Sequence, residues 1–259
     1  MDESPSQVRQ RIRAGLYDGQ TSGMCHGYAQ ANLVVLSKEY ALDFLIFCQR
    51  NPKPCPLLDI TEPGDPEPKL IAKGADIRTD IPKYRFYKKG RLVGEKDSIK
   101  EEWNENMIGF LLGCSFTFEN ALMTAGIPVR HIEENHNVPM YITNIKCKSA
   151  GIFHGPMVVS MRPIPKDMII RAVQVTSRFP QVHGAPVCIG DPEAIGINDV
   201  ARPDFGDPST IYDGEVPVFW ACGVTPQAVA MEAQPEIMLT HAPGNMFISD
   251  KKDEDYSVF

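Results

Sequence analysis

The sequence predicts a mixed α/β protein, an α/β or α+β sandwich in which short strands are interleaved with helices. Three observations carry this expectation. Short β-like apolar runs recur at Met140 to Ile145, Met157 to Met161, Ala185 to Ile189, Val216 to Ala221, Ile237 to Thr240 and Met246 to Ile248. Between them, Asp167 to Phe179 sets Met168, Ala172, Val175 and Phe179 on one helical stripe. Finally, 22 prolines and 20 glycines punctuate the chain throughout, which keeps every element short.

In chain order, the first clear element after the N-terminal segment runs from Ser37, a plausible N-cap, through Tyr40, Leu42, Phe44, Leu45 and Phe47 to the Asn51-Pro52 stop. It is expected to be a buried helix. Asp59 to Lys69 has three prolines, a glycine and several acids, the composition of an exposed loop and a candidate hinge between lobes. Tyr84 to Tyr87 and Leu92-Val93 flank Lys88-Lys89-Gly90-Arg91, which predicts a β-hairpin. Ser98 with Glu101 forms a capping-box signature ahead of Trp103, Met107 and Phe110, which predicts a helix. Two stretches share one layout, an apolar segment, a small-residue turn and a helix start: Phe110 to Glu119, closed by Gly126, and Val216 to Gln227. In the second, Thr225 can cap and Pro226 suits the first helical turn. Lys251 to Phe259 is a charged tail expected to fray.

Length and composition bound the function. A chain of 259 residues can withdraw roughly 70–75% of its unfolded surface from water, enough for a large core without staples. One compact unit over 1–259 is expected, with a main lobe of about 1–130 plus 231–259 and a second lobe of about 131–230. The 26 Lys+Arg against 33 Asp+Glu give a formal charge of −7, which argues against a nucleic-acid partner or a polybasic membrane surface. No stretch approaches the roughly 20 apolar residues that cross a bilayer. The N-terminus carries Asp2 and Glu3 and lacks an apolar core, which disfavours a secretory signal. Seven cysteines at irregular spacing, with no Cys-x-x-Cys, indicate reduced thiols rather than a disulfide framework or zinc ribbon. The expected setting is the cytoplasm, with the mitochondrial matrix left open; a homo-oligomer is compatible with all of this.

Several signatures are absent: no Gly-x-Gly-x-x-Gly after a strand, no Walker loop, no His-Glu-x-x-His and no Gly-x-Ser-x-Gly. What remains is polar residues in Gly/Pro-rich turns. The Gly113-Cys114-Ser115-Phe116-Thr117 turn is the foremost candidate, because backbone N–H groups at a helix start there, near Ser115 and Phe116, would hold a carboxylate or an oxyanion. Glu119 in that first turn is either a capping carboxylate or a proton-transfer group. Cys114 is either a nucleophile with a lowered pKa or a small apolar filler. Thr225 and Gln227 are caps or ligand contacts. His183 and His241 follow element ends and are structural or proton shuttles. Arg78, Arg162 and Arg178 are carboxylate clamps or structural partners, with Arg162 the foremost because it directly follows an apolar run. His131 and His136, with Glu133 and Glu134, match no zinc spacing, and no metal or cofactor is expected.

Taken together, Asn51-Pro52-Lys53-Pro54-Cys55-Pro56-Leu57-Leu58, Asp76-Ile77-Arg78-Thr79-Asp80-Ile81-Pro82, Gly113-Cys114-Ser115-Phe116, Asn137-Val138-Pro139-Met140-Tyr141, His183-Gly184-Ala185-Pro186, Val216 to Gln227 and Thr240-His241-Ala242-Pro243-Gly244 resemble the D-glutamate cyclase family. The likeness runs from about Val8 to Asp250. It implies a three-layer α/β sandwich lobe combined with a smaller two-layer lobe, and a hydro-lyase that turns D-glutamate into 5-oxo-D-proline and water. Its partner would then be a small amino-acid or carboxylate substrate. The broader alternatives are another carboxylic-acid lyase and a non-catalytic binding protein for small carboxylates. In such a reaction the α-amine attacks the γ-carboxyl carbon and a protonated oxygen leaves. Glu119 or His241 would be the base, His183 the acid, the turn at Ser115 and Phe116 the oxyanion site, and Arg162 or Arg178 the clamp. Two positions depart from the family pattern: Cys188 and Asn245 stand where histidine is usual.

Overall fold

The structure is a computed structural model that describes residues 3–258. Its elements begin with α1 (Pro5–Arg13), β1 (Tyr28–Ser37), α2 (Lys38–Arg50), β2 (Leu57–Ile60), β3 (Tyr84–Lys88), β4 (Arg91–Lys96), β5 (Met107–Gly113), α3 (Phe116–Thr124) and α4 (Arg130–Glu133). They continue with β6 (Met140–Lys146), β7 (Pro156–Pro165), α5 (Ile169–Ser177), β8 (Cys188–Ile189), β9 (Glu215–Ala221), α6 (Thr225–Ala233), β10 (Ile237–His241) and β11 (Phe247–Lys252). The chain is therefore mixed α/β with two sheets. The larger has seven strands in the order β2-β5-β1-β10-β3-β4, with β11 also on β1; the smaller has the order β6-β7-β9-β8. Every strand pairing among the described residues is antiparallel, so no parallel crossover unit builds this fold.

Layering explains the apolar character of the central strands. Ala31, Leu33, Val35 and Leu111 pack on one face of the large sheet against Ile71, Ile77, Ile81 and Ile99. Val34, Leu36, Phe110 and Leu112 pack on the other face against Phe44 and Phe47 of α2 and against Val159, Met161, Phe219 and Ala221 of the small sheet. The far face of the small sheet, through Ile164, Val218 and Trp220, meets Phe118 and Leu122 of α3 and Ala172 of α5. Strands covered on both faces read as continuous apolar runs rather than alternating ones, and β5 is buried at every position.

Several expectations meet their elements here. Helix α2 stops at Asn51, although Ser37 makes no side-chain cap bond and the exposed Leu42 makes the helix amphipathic rather than fully buried. The hairpin turns at Lys89-Gly90, both with positive φ, the conformation a tight two-residue connection requires. Asp59, read as part of an exposed loop, is instead buried in β2, where its carboxylate accepts the Leu70 and Ile71 N–H groups. No helix follows Ser98: its hydroxyl accepts the Lys100 N–H, and Met107–Gly113 is an interior strand paired along β1. Two flanking strands outweigh a local capping signal. The tail is packed, not frayed, through residue 258: Lys251 and Lys252 extend β11, and Asp253 and Tyr256 are buried in a 3₁₀ turn; Phe259 lies outside the described residues. Helix α1 went unread, although Ser4 and Gln7 form a reciprocal capping box.

Phe44 joins the layers, edge-on to Phe110 at 4.9 Å and to Phe153 at 5.1 Å, with no exposure. Phe44→Ala should lower unfolding free energy by about 3–5 kcal/mol in urea denaturation; a loss below about 1 kcal/mol would show that the layers do not depend on this contact.

Candidate functional site

Two strand–turn–helix joints converge on one side chain. Asn32, a polar residue inside β1, donates its amide to the Gly113 carbonyl at 2.8 Å and packs against Gly223. Neither glycine has room for a side chain: a Cβ at Gly113 would lie 2.4 Å from the Gln181 carbonyl, and one at Gly223 would lie 1.9 Å from the Asn32 amide. The turns therefore close tightly and fix where α3 and α6 begin. From the first joint, Phe116, Glu119, Asn120 and Met123 follow at helical spacing and form one wall of a cavity of about 370 Å³. Gln30 of β1 and His131, His136 and Asn137 belong to the polar lining, with Gln20, Ser22, His26, Tyr28 and Asn135.

Glu119 is 4% exposed and meets Arg162 of β7, which has no exposure at all. Arg162 Nε donates to Glu119 Oε1 at 2.9 Å, and Nη2 donates to the same oxygen. Of its other three N–H groups, one Nη1 hydrogen goes to Ser160 Oγ at 3.0 Å and one Nη2 hydrogen to Ser115 Oγ at 3.1 Å. The guanidinium carbon also lies 5.3 Å from the Phe118 ring centre and 5.6 Å from that of Trp220, a cation held against two aromatic faces. Burial by itself would push the Glu119 carboxyl up, but the Arg162 charge and the neighbouring His131 outweigh it and hold that carboxyl below the usual range. His131 Nε2 sits 3.3 Å from Glu119 Oε1, and its ring stacks on Phe116 with centroids 6.1 Å apart. A proton on Nε2, facing the carboxylate, leaves Nδ1 as the ring's acceptor.

The cavity carries two further cues. His136 directs Nδ1 at the Asn137 carbonyl, 2.9 Å away, and Nε2 at Glu134, 2.8 Å away. Its partial burial opposes the charge, yet these two acceptors raise its pKa above the ordinary value and favour an imidazolium at the wall. Gln30 is 4% exposed and donates to the Thr21 carbonyl at 2.7 Å, while its Oε1 has no hydrogen-bond partner among the described residues.

The site corrects several expectations drawn from sequence. Arg162 faces the interior rather than a substrate: Glu119, Ser160 and Ser115 take four of its five N–H groups, and it does not border the cavity. Ser115 lies behind the cavity and serves Arg162, while Phe116 borders the cavity through its ring. At the start of α3, Thr117 N–H is bonded to the Cys114 carbonyl and Phe118 N–H to that of Ser115, so these two amides are not open to an oxyanion. Burial pushes the Cys114 thiol up to about 12, the reverse of an activated nucleophile. Thr225 is buried, donates to the Cys222 carbonyl at 2.7 Å and accepts the Val158 N–H at 3.1 Å, so it ties α6 to β7. His183 and His241 border none of this cavity. His183 Nδ1 is 2.8 Å from the Lys53 carbonyl, His241 Nδ1 accepts the Leu33 N–H at 3.1 Å, and burial brings each ring down to about 4. Neutral and sealed, they fit structural roles. Arg178 borders a different cleft on the other flank of α3.

Sequence reading missed Gln30 and set aside His131 and His136. The usable signal was Gln30 and Asn32 interrupting an apolar strand. No group of three or more His, Cys, Asp or Glu among the described residues is arranged to hold a metal.

The D-glutamate cyclase family profile matches residues 108–250. The chain belongs to the D-glutamate cyclase family. Proteins named "putative hydro-lyase" from Thermoanaerobacter sp. (strain X514) and Geobacillus kaustophilus are 68% and 65% identical to it over 250 and 255 residues. These alignments cover 96% and 98% of this chain and 94% and 97% of those proteins. A likewise named protein from Stutzerimonas stutzeri is 63% identical over 257 residues, 99% of this chain and 97% of its own. A nitrogen repressor-like protein from Methanococcus jannaschii, at 11% identity and a TM-score of 0.39 over 98% of this chain and 100% of its own, is too distant to inform fold or chemistry. The stretch that matches the D-glutamate cyclase profile contains Glu119, His131, His136 and Arg162. Cys188 and Asn245 also lie within that stretch but away from the cavity: Cys188 donates to the Asp191 carbonyl, Asn245 to that of Pro243, and neither borders the cavity.

The buried charges have a pH signature. Glu119 has a folded pKa below its ordinary 4.5, so the stability it contributes is complete above that value and is lost as pH falls through the lower folded one. His183 and His241, brought from 6.5 to about 4, contribute stability that is complete above 6.5 and erodes as pH drops toward 4, on the order of 3 kcal/mol each. Urea denaturation from pH 7.5 to 4 should show a steep fall beginning near 6.5; a flat profile down to pH 4.5 would contradict the neutral, buried state of these rings. At pH 7, Arg162→Met should cost roughly 3–5 kcal/mol by stranding Glu119, and the double variant with Glu119→Gln should recover part of that loss.

Proposed function

We propose that this protein is a hydro-lyase, a carbon–oxygen lyase, that cyclises D-glutamate to 5-oxo-D-proline with release of water in the cavity beside α3. The observation that carries this reading is His131 set against a buried carboxylate that Arg162 keeps ionised. A carboxylate so stabilised is a weak base, but it orients an imidazole and stabilises the imidazolium formed when that imidazole takes a proton. His131 is therefore the proton carrier and Glu119 its positioning partner. The volume, about 370 Å³, falls in the range of small-molecule sites.

The chemistry balances without an outside reagent. Nδ1 of His131 takes a proton from the substrate ammonium, and the freed amine attacks the γ-carboxyl carbon. The carbon–nitrogen bond forms and a tetrahedral oxyanion results. The carbon–oxygen bond then breaks as the departing oxygen receives protons returned by His131. Nitrogen sheds two protons and the leaving oxygen gains two, so one imidazole can carry them in turn. The unpartnered Gln30 Oε1 and the Glu119 carboxylate favour the ammonium end. The raised pKa of His136 favours positive charge on the wall, which suits the carboxylates.

Mass spectrometry of the purified protein with D-glutamate should reveal 5-oxoproline, with L-glutamate as the parallel substrate. His131→Asn should lower kcat by about 10²–10⁴ with the fold retained by circular dichroism. Gln30→Leu should raise KM more than it lowers kcat. No 5-oxoproline from either enantiomer would remove the cyclase assignment, and a screen of other hydroxy and amino acids for water loss would then test the broader lyase reading.

A further inference from the structure

A second cleft, of about 780 Å³, lies on the other flank of α3, between that helix, α5 and the 253–256 turn. Two residues bordering it carry a buried polar atom without a partner among the described residues. Asp253 is 7% exposed; its Oδ2 accepts the Asn120 amide at 2.9 Å, while Oδ1 has no partner among the described residues. Thr117, 2% exposed, likewise has a hydroxyl without a partner. Each such group costs about 1–3 kcal/mol when left unpaired, and two at one cleft call for a donor-bearing ligand. A carboxylate oxygen and a hydroxyl together match an ammonium, which offers three N–H groups.

The outer part of the cleft has the opposite character. Arg171 of α5, Arg178 just past the end of that helix and Lys252 of β11 border it, against the single exposed acid Glu254. A guanidinium fork recognises a carboxylate through two parallel N–H groups. We propose that this cleft is a second binding site, taking a small zwitterionic amino acid with its ammonium against Asp253 and Thr117 and its carboxylate against Arg171. Burial, slightly opposed by the Asn120 amide, raises the Asp253 carboxyl to about 6, and a bound ammonium would relieve that exposure to a low-dielectric setting. Neither Asp253 nor Arg171 borders the cavity of His131, so this site stands or falls apart from the cyclase reading.

Isothermal titration of the full chain with glycine and with D-glutamate tests this. Saturable glycine binding should be weakened at least tenfold in Asp253→Asn and in Arg171→Ala, whereas methylamine or acetate alone should bind at least tenfold more weakly than glycine. D-Glutamate matching glycine in the cleft would mark recognition of the amino-acid head group; D-glutamate binding there far more tightly would mark a second copy of the substrate. Either result supports the site. Absence of saturable glycine and D-glutamate binding, binding unchanged by both substitutions, or equal affinity for methylamine would overturn it. Arg171 is exposed, so its loss leaves the fold intact, and Thr117→Val supplies an independent variant on the other side of the cleft.

Discussion

An arginine with no exposed surface and a carboxylate 4% exposed face each other between α3 and β7, and much of the architecture serves that pairing. Removing two charges from water is expensive, and the gain from their attraction repays the loss only when every remaining donor finds a partner. Here Ser115 and Ser160 each take one further guanidinium hydrogen, and two aromatic rings lie beside the cation. Stability alone does not explain the arrangement, because apolar residues of similar volume would fill the space as well or better. What apolar residues would not supply is a fixed negative charge at the wall of a cavity, with an imidazole resting against it.

The pair also joins the two sheets. Glu119 rides on the helix that leaves β5 of the large sheet, while Arg162 belongs to β7 of the small one. Asn32 supplies a second joint from inside β1, touching both Gly113 and Gly223, where the two strand–turn–helix units bend. The position of α3 is therefore set by polar contacts at its first turn and by apolar contacts of Phe118 and Leu122 along its length. Because the two flanks of that helix border different cavities, the same contacts give shape to both.

Much of the fold could be read in the sequence, since apolar runs, turns and caps are local signals. The hairpin at Lys89-Gly90, helix α2 and the two strand–turn–helix units follow from spacing and turn chemistry alone. Reading failed where a distant neighbour decides. β1 was obscured because Gln30 and Asn32 break its apolar run, and Met107–Gly113 became a strand because β1 and β2 flank it. Sequence reading named Glu119 and Phe116, which border the candidate cavity, but not the contacts around them. Arg162 follows an apolar run in sequence, and nothing local reveals that Glu119, 43 residues earlier, consumes its charge. The helix start looked open because the Cys114 and Ser115 carbonyls that occupy the Thr117 and Phe118 amides leave no mark in the sequence. His131 and His136 were judged by metal spacing, whereas their meaning comes from single contacts with Glu119 and Glu134.

The account depends on which way the His131 ring is protonated, because only a carboxylate-facing Nε2–H leaves the Nδ1 lone pair available for chemistry. Long-range ¹H–¹⁵N correlation spectra of the ¹⁵N-histidine-labelled protein above pH 7 report that directly. The account predicts the Nε2–H tautomer for His131, with the Nδ1 nitrogen showing the shift of an unprotonated acceptor. A proton found on Nδ1 would contradict it, since Glu119 would then face a lone pair and could not orient the ring.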